Sequence, residues 1–547
     1  MASKKALLIN PPVYDTQYWE RWSMPHGLLK VATFLKQQGY ETKLIDCLAT
    51  EDGEPLKKKR RELIRVGKKD RRTPDSWGGK LDADMKVSYC FGRDADELEK
   101  VFRHGHLFSD EHLEWTPDEI WVTSIMSYWW ESTRDVIQVC KRCFPTAKIR
   151  VGGIYPTLAP DHAKEKLGLS DPLVVSGGEF SLSDESQMAR DLIVAGEIPA
   201  ANDLPLDHSL YREVSSGGPK YTILTTSRGC PRGCEYCAAY VLSGRKIRSR
   251  DPGSVLEEIR EKYALGIRDF CFYEDNLLMS KKHIKEVLMR IRDDDELKGI
   301  ELHSPEGLEI KLIDPELARL MYEAGFRRVY LPLESVNYEA NKRWSRDFYT
   351  LKDFEGAVKM LEAAGFTKPQ QINVFVLFGL PGEDLQNVYD TAIYAANRTG
   401  SVIPMLFAPV PGTPLFKKFE DYIAEMQFDL QDLNGKLLPF LEYNRRQMKG
   451  KYDLTIQDFY NVEAFMFRLN EKVRNKTFRP GARSSVSEAF RKVFTSYMSV
   501  FEGQERQLYF PDAPVEASVQ DNITEYHGTG KSLLSLIALQ EGSAQLL

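Results

Sequence analysis

Ser227-Arg228-Gly229-Cys230-Pro231-Arg232-Gly233-Cys234-Glu235-Tyr236-Cys237 sets three cysteines at C-x3-C-x2-C directly after a predicted strand, Thr222 to Thr226. Thiolates are soft ligands suited to iron–sulfur clusters, and spacing this tight lets one loop wrap a cluster edge. Three ligands on a four-iron cluster leave one iron open, which a cluster needs if it is to bind a substrate. Gly229, Pro231 and Gly233 bend the loop so that the sulfurs converge. A zinc knuckle competes poorly, because zinc asks for a fourth Cys or His nearby.

Outward from that loop the chain alternates strands and helices. Strands at Thr222 to Thr226, Asp269 to Tyr273, Gly299 to His303, Arg328 to Leu333, Ile372 to Phe378 and Val402 to Ala408 alternate with five helical patterns. These are Pro252 to Ala264, Lys281 to Arg292, Pro315 to Ala324, Leu351 to Ala364 and Leu385 to Arg398. Six strand–helix units over 221–420 predict a partial (β/α)6 barrel, shorter than the eightfold form.

Towards the N-terminus the same alternation predicts a second α/β unit over 1–200, doubly wound and Rossmann-like. Its strands are Ala6 to Asn10, Glu41 to Cys47, Glu119 to Ile125, Lys148 to Ile154 and Leu173 to Ser176. Its helices are His26 to Gln38, Glu131 to Cys143 and Ser181 to Val194. An insertion at about 49–117 interrupts it, with basic runs at Lys57 to Arg61 and Lys68 to Arg72. That insertion reads as a solvated helical segment, with a lid over the site as the sharper alternative. Residues 201–220 read as a linker rich in Pro, Asp, Ser and Gly, and 421–547 as a mostly helical domain with a polar tail.

Composition bounds these readings. At roughly 150 residues per domain, 547 residues predict three to four domains. A chain 42% apolar and 28% charged is globular, not disordered, fibrous or a disulfide scaffold. A net charge of −6 gives no overall field for nucleic acid. Neither a signal peptide nor a run of about 18 apolar residues is visible, so the expected location is cytoplasmic, with no transmembrane segment.

The cysteine loop resembles the defining motif of the radical S-adenosylmethionine (SAM) superfamily, Tyr236 matching the aromatic position that flanks adenine. Leu333-Glu334-Ser335 resembles the strand end that contacts the SAM ribose and methionine. Phe378 to Glu383, with Gly379 and Gly382, resembles the glycine-rich strand end beneath the adenine, and Pro409 to Leu415 the segment after the sixth strand. Glu274, ending the second barrel strand, is a further SAM candidate. The doubly wound domain placed before the barrel resembles that of the cobalamin-dependent radical SAM enzyme family. Asn10-Pro11-Pro12, Ser124 with Tyr128 and Trp129, Gly152-Gly153-Ile154-Tyr155-Pro156-Thr157 and Gly177-Gly178-Glu179 close its strands. Small residues there let a corrin approach the backbone.

The resemblance implies a [4Fe-4S] cluster on Cys230, Cys234 and Cys237, SAM and cobalamin. Cobalt(I) would take a methyl group from one SAM, and a second SAM would be cleaved to a 5′-deoxyadenosyl radical that abstracts substrate hydrogen. The substrate radical would then collect the methyl group, methylating an unactivated carbon. Oxidation, cyclisation or rearrangement without methyl transfer is the alternative, and a cobalamin-sensing scaffold a remote one. A methylthiotransferase is disfavoured, because three further N-terminal cluster cysteines are missing. Partners implied are an external one-electron donor such as flavodoxin or ferredoxin and a small-molecule, lipid or peptide substrate.

The Asp-x-His-x-x-Gly motif that supplies a histidine to cobalt in cobalamin mutases is absent from this chain, so no histidine is expected on cobalt; Tyr128 and Trp129 would cover that face. Cys140 and Cys143 form a C-x2-C pair within a helix and read as structural, like Cys47, Cys90 and Cys271. His303, Glu306 and Arg343 follow barrel strands and are cavity candidates. Gly528 to Ser532 lacks the first glycine of a phosphate-binding loop.

Overall fold

The computed structural model describes residues 3–18, 24–50, 55–73, 84–104, 115–169, 174–176, 179–181, 204–211, 221–368, 370–399, 401–448, 462–463, 465–466 and 470. The first unit runs β1 (Lys5–Asn10), β2 (Val13–Asp15), α1 (His26–Gln37), β3 (Glu41–Asp46), β4 (Lys58–Arg65), β5 (Arg71–Arg72), β6 (Met85–Phe91), α2 (Ala95–His104) and β7 (Glu119–Thr123). It continues with α3 (Trp130–Cys143), β8 (Lys148–Gly152), α4 (Ile154–Leu158), α5 (Pro160–Leu167), β9 (Val174–Ser176) and β10 (Glu179–Ser181).

Four strands form a parallel sheet in the order β3-β1-β7-β8. The apolar run of β1 is continuous because both its faces are covered. Ala6 and Leu8 pack with Leu28, Leu29 and Ala32 of α1, while Leu7 and Ile9 pack with Val136 and Ile137 of α3. The order reverses between β1 and β7, which opens a crevice at their carboxyl ends.

Three expectations for this half need correction. Leu173 to Ser176 is not a fifth parallel strand; β9 pairs antiparallel with β10 instead. The insertion is not helical either. Its strands β4, β5 and β6 join β2 in an antiparallel sheet, order β2-β6-β4-β5, and among its described residues only α2 is helical. Most of its basic residues are exposed, Lys57 to Arg60 among them, as expected of a solvated face, and two of the run also lie over aromatic rings of that sheet. Lys58 Nζ lies 3.8 Å from the Tyr89 ring centroid, and the Arg61 guanidinium lies 4.2 Å from that of Tyr14. Residues 204–211 are no loose linker, since Leu204, Leu206 and Leu210 are buried in the core that α1 shares with Ile223.

The second unit holds β11 (Tyr221–Leu224), β12 (Ser227–Arg228), α6 (Ala239–Ser243), β13 (Arg248–Ser249), α7 (Pro252–Ala264), β14 (Asp269–Phe272), α8 (Lys281–Arg292) and β15 (Glu301–His303). Then come α9 (Pro315–Glu323), β16 (Phe326–Pro332), α10 (Tyr338–Arg343), α11 (Leu351–Ala364), β17 (Ile372–Phe378), α12 (Leu385–Thr399) and β18 (Val402–Leu406). Strands β11, β14, β15, β16, β17 and β18 pair in that order, all parallel, as successive strand–helix crossovers require. Local signals set the helix starts. Asp251 and Asp314 accept N–H bonds ahead of Pro252 and Pro315, and Thr350 with Asp353 forms a capping box.

The chain after β18 does not form a separate body from residue 421, as far as it is described. It returns as α13 (Pro414–Lys418), α14 (Glu420–Glu425) and α15 (Leu441–Met448). Ile423, Leu430 and Leu433 are buried in the first unit's core, where no helical periodicity had pointed. Polar bonds fix the strap: Trp130 Nε1 donates to Gln431 at 2.7 Å, Arg71 pairs with Asp432 at 2.8 Å, and Lys436 with Asp15 at 2.9 Å. The expected helix at Ser181 to Val194, the polar tail and most of 449–547 lie outside the described residues. Among the described residues no helix is long and apolar enough to cross a membrane.

Candidate active site

The cysteine loop is held from below by the end of β14. Glu274, 4% exposed, accepts from the N–H groups of Thr226 at 2.5 Å and Ser227 at 2.8 Å, and from Ser227 Oγ at 2.9 Å. Burial pushes its carboxyl up, and these donors pull it back. Asp275 accepts from the Gly229 N–H at 2.7 Å. Glu274, expected at SAM, therefore spends both oxygens on the loop that carries the cysteines. Gly229 has φ +102°, and a Cβ there would stand 2.2 Å from the Lys246 carbonyl oxygen, so no other residue fits the turn.

Each sulfur receives one donor. Asn276 Nδ2 is 4.0 Å from Cys230 Sγ, Arg346 Nη1 is 3.6 Å from Cys234 Sγ, and the Ala239 N–H is 3.4 Å from Cys237 Sγ. All three cysteines are free thiols. Burial raises the Cys230 thiol and pushes that of Cys237 up to about 12. Three converging thiols, each with an N–H aimed at the sulfur, fit an iron–sulfur cluster, whose ligands are thiolates steadied by hydrogen bonds.

Beside the loop opens a cavity of about 300 Å³ whose walls include Tyr236, Glu334, Ser335, Arg343, Gly382 and Glu383. Glu334 adopts φ +60°, rare for a side chain of its kind, and its carboxylate lies 3.4 Å from Arg346 Nη2. Burial raises the Glu334 carboxyl and Arg346 lowers it. The Gly379 N–H donates to Glu383 at 2.6 Å, and Asn444 from α15 takes the Gly382 N–H at 2.7 Å. Tyr236, Glu334, Ser335 and Gly382 thus line one space, and Gly379 adjoins it through its bond to Glu383.

Burial pushes the Glu383 carboxyl from 4.5 up to about 8. Its folded form holds a proton that the unfolded chain has released, so stability falls as pH rises from about 4.5 to about 8. Glu383→Gln should flatten that part of the melting-temperature profile, which thermal unfolding at a series of pH values measures. A slope equal to wild type contradicts the assignment.

In the first unit, Pro11 and Pro12 follow β1, Ser124 follows β7, Gly152 ends β8 and Gly153 follows it, on adjacent strand ends at the reversal point. Trp129 Nε1 donates to Asp15 at 3.0 Å, and Thr157 Oγ1 to the Gly153 carbonyl at 2.8 Å. Tyr128 is half-buried with its ring 5.6 Å from that of Trp129, and burial raises its hydroxyl. Pro156 is buried beside them. Tyr155 is fully buried, and its hydroxyl meets His162 Nδ1 at 2.7 Å. His162 Nε2 meets Asp429 at 2.6 Å, so both ring nitrogens are engaged within the protein. Gly178 lies outside the described residues, and for Glu179 only its place in β10 is described.

Sequence reading missed Arg346 and Asn444 as parts of this machinery, and no local pattern marks either of them. His303 is turned into the sheet against Asp269 at 2.8 Å, whereas Arg343 reaches the Gly382 carbonyl at 3.0 Å. Cys140 lies buried in α3 without a partner thiol, in keeping with a structural pair.

Residues 224–395 match the Radical SAM superfamily. The chain is 24% identical over 343 residues to the bacteriochlorophyllide d C-12(1)-methyltransferase of Chlorobaculum tepidum, covering 60% of this chain and 72% of that relative. It is 22% identical over 483 residues to the cytidylyl-2-hydroxyethylphosphonate methyltransferase of Streptomyces wedmorensis, covering 76% and 81%. Its fold is similar to that of the radical S-adenosylmethionine methyltransferase TsrM from Kitasatospora setae, solved with cobalamin and a [4Fe-4S] cluster bound. That match has a TM-score of 0.55 and 16% identity over 99% of this chain and 100% of the other.

Proposed function

From the match of residues 224–395 to the Radical SAM superfamily, we propose that this chain is a cobalamin-dependent radical SAM enzyme that methylates an unactivated carbon. The observation that carries this is the meeting of the two strand-end sites. Helix α4, which follows Gly152-Gly153, packs against α6, which follows Cys237. A cofactor at the first unit's reversal point would therefore border the cysteine loop. The named relatives are methyltransferases, which supports methyl transfer over other radical outcomes.

Bound there, a [4Fe-4S] cluster with SAM supplies a 5′-deoxyadenosyl radical, and cobalamin supplies the methyl group. Cys230, Cys234 and Cys237 hold the iron. Glu334, fixed by Arg346, presents a carboxylate to the polar end of SAM, with Ser335 beside it. Tyr236 and the Gly379–Gly382 turn close on its flat end. Glu274 acts through the loop and sets the cysteine spacing. In the first unit, Pro11, Pro12, Ser124, Gly152 and Gly153 offer backbone to the corrin, and Tyr128 and Trp129 form a wall on one face. Pro156 and Thr157 shape the strand end. Tyr155 supports it through His162. Electrons come from an external donor of the flavodoxin or ferredoxin kind, and the work is cytoplasmic.

Gly153 tests the corrin site. Its φ is +105°, and a Cβ would lie 2.5 Å from the Ser124 carbonyl oxygen. Gly153→Ala should force the ends of β7 and β8 apart and lower corrin retention at least about tenfold, a loss of about 1.4 kcal/mol. Anaerobic purification with hydroxocobalamin and absorbance of the retained corrin give the measure. No corrin on the wild-type protein would refute the first unit's assignment.

A further inference from the structure

Helix α10 ends in a way that aims one side chain. Just past it Ser345 stands at φ +55°, its N–H returns to the Lys342 carbonyl at 3.0 Å, and the Arg346 N–H returns to that of Asn341 at 2.9 Å. This pair of bonds closes a helix around a left-handed residue, a place that glycine usually takes. Among the described residues only four non-glycine positions have positive φ. One is Glu334, at +60°, and another directly precedes Arg346, so two of the four set the members of one ion pair. Strain of this kind persists only where the surroundings hold it, and it collects at sites with a task. Here Asn341 Nδ2 donates to the Ser335 carbonyl at 2.7 Å, and the Glu235 N–H donates to the Trp344 carbonyl at 3.1 Å. The end of α10 is thereby tied both to the strand end that carries Glu334 and to the cysteine loop.

The guanidinium so placed divides its bonds. Nη1 lies 3.6 Å from Cys234 Sγ, Nη2 lies 3.4 Å from the Glu334 carboxylate, and the buried Nε has no partner among the described residues. The side chains of Arg346 and Glu334 are 14% and 15% exposed, so water and salt screen them little. Arg346 packs 4.8 Å from the Phe348 ring centroid, and Arg232 packs 4.2 Å from the same centroid. The two cations differ in their compensation. Glu309 holds Arg232 by two bonds of 3.2 and 3.1 Å, whereas Glu334 meets Arg346 once. The other donors at the sulfurs, the Asn276 amide and the Ala239 N–H, are neutral, so Arg346 alone brings a charge to a cysteine sulfur.

We propose that Arg346 is a positioning residue that acts through Cys234 to raise the reduction potential of the cluster, and that Glu334 holds this effect in check. The inference rests on the reading of the loop as the seat of a [4Fe-4S] cluster. Reduction takes one electron from an external reductant and no proton, leaving the cluster and its thiolates one charge more negative. A guanidinium bonded to one of those sulfurs favours the reduced form, because hydrogen bonds to sulfur and local charge tune such clusters. A carboxylate on the same guanidinium opposes it. Removal of one partner or the other must then move the potential in opposite directions, which a merely structural ion pair would not do.

The test reconstitutes the full chain anaerobically with iron and sulfide and leaves SAM out. Titanium(III) citrate and mediator dyes set the potential, and electron paramagnetic resonance reads the reduced cluster. Arg346→Gln should shift the reduction equilibrium at least about tenfold towards the oxidised cluster, a potential about 59 mV lower for one electron. Glu334→Gln should raise the potential above wild type. Arg346→Lys, which keeps the charge but not the fork, should fall between Arg346→Gln and wild type. A wild-type potential in Arg346→Gln, or an unchanged or lowered one in Glu334→Gln, overturns the proposal. If Arg346→Gln assembles no cluster, Glu334→Gln decides alone. Loss of the cluster in both variants also overturns the proposal, because the pair would then build the site rather than tune it. No iron on the wild-type chain would instead refute the reading of the loop, so the two fail separately.

Discussion

Cys234→Ala is expected to leave a folded protein that forms no 5′-deoxyadenosine, a loss of at least about three orders of magnitude. The reasoning starts from ligand count. One loop supplies three thiols, and removal of any one leaves two on a cluster that needs three to stay bound while keeping an iron open. Cys234 is the sharpest case because Arg346 meets it at 3.6 Å and Glu334 at 3.4 Å, joining the loop to the cavity wall. The side chain is small and 4% exposed, so truncation costs little packing, and the melting temperature should fall only slightly. Iron analysis and chromatography of the quenched reaction check both halves. Wild-type turnover in Cys230→Ala, Cys234→Ala or Cys237→Ala refutes the ligand assignment.

Gly229→Ala is expected to act nearly as strongly without removing any ligand. A left-handed conformation costs a residue with a Cβ about 1–2 kcal/mol. The larger effect is steric, since the added methyl would meet the Lys246 carbonyl oxygen at 2.2 Å and neither partner is a flexible side-chain end. The loop has to shift, and with it the Gly229 N–H bond to Asp275 and the Cys230 N–H bond to the Gly244 carbonyl at 3.0 Å. Iron content after reconstitution should drop at least about tenfold, a loss of about 1.4 kcal/mol in binding. Gly266→Ala serves as the control, because open space surrounds that position although its φ is +92°. Equal iron in Gly229→Ala and Gly266→Ala would show that the loop tolerates the shift.

The sequence-readable parts share one property: their signal is local. The C-x3-C-x2-C spacing, the Asp-Pro helix starts at Asp251 and Asp314, and the continuous apolar run of β1 each declare themselves within a few residues. The barrel strands β14 to β18 were legible for the same reason. What stayed hidden depends on contacts distant in sequence. Arg346 reaches Cys234 across 112 residues, and Asn444 grips the Gly382 turn across 62. The insertion misled because an exposed basic run reads alike on a helix or a strand, and the pairing of β4 with β6 joins segments distant in sequence. The strap at 429–437 has too few apolar residues for periodicity, and its burial comes from the first unit's core closing over Leu430 and Leu433. Glu274 was recognised as important but given the wrong task, because a strand-end carboxylate looks alike whether it faces a ligand or a backbone.

The central claim is that the cysteine loop cleaves SAM reductively while the neighbouring unit handles a methyl group. Its most direct measurement incubates the anaerobically reconstituted protein, loaded with hydroxocobalamin and a chemical reductant, with SAM labelled in its methyl group. Chromatography then quantifies 5′-deoxyadenosine and the label carried by the corrin. The account predicts both products from wild type, and no deoxyadenosine from Cys234→Ala. Intact SAM, with neither deoxyadenosine nor labelled corrin, would contradict it.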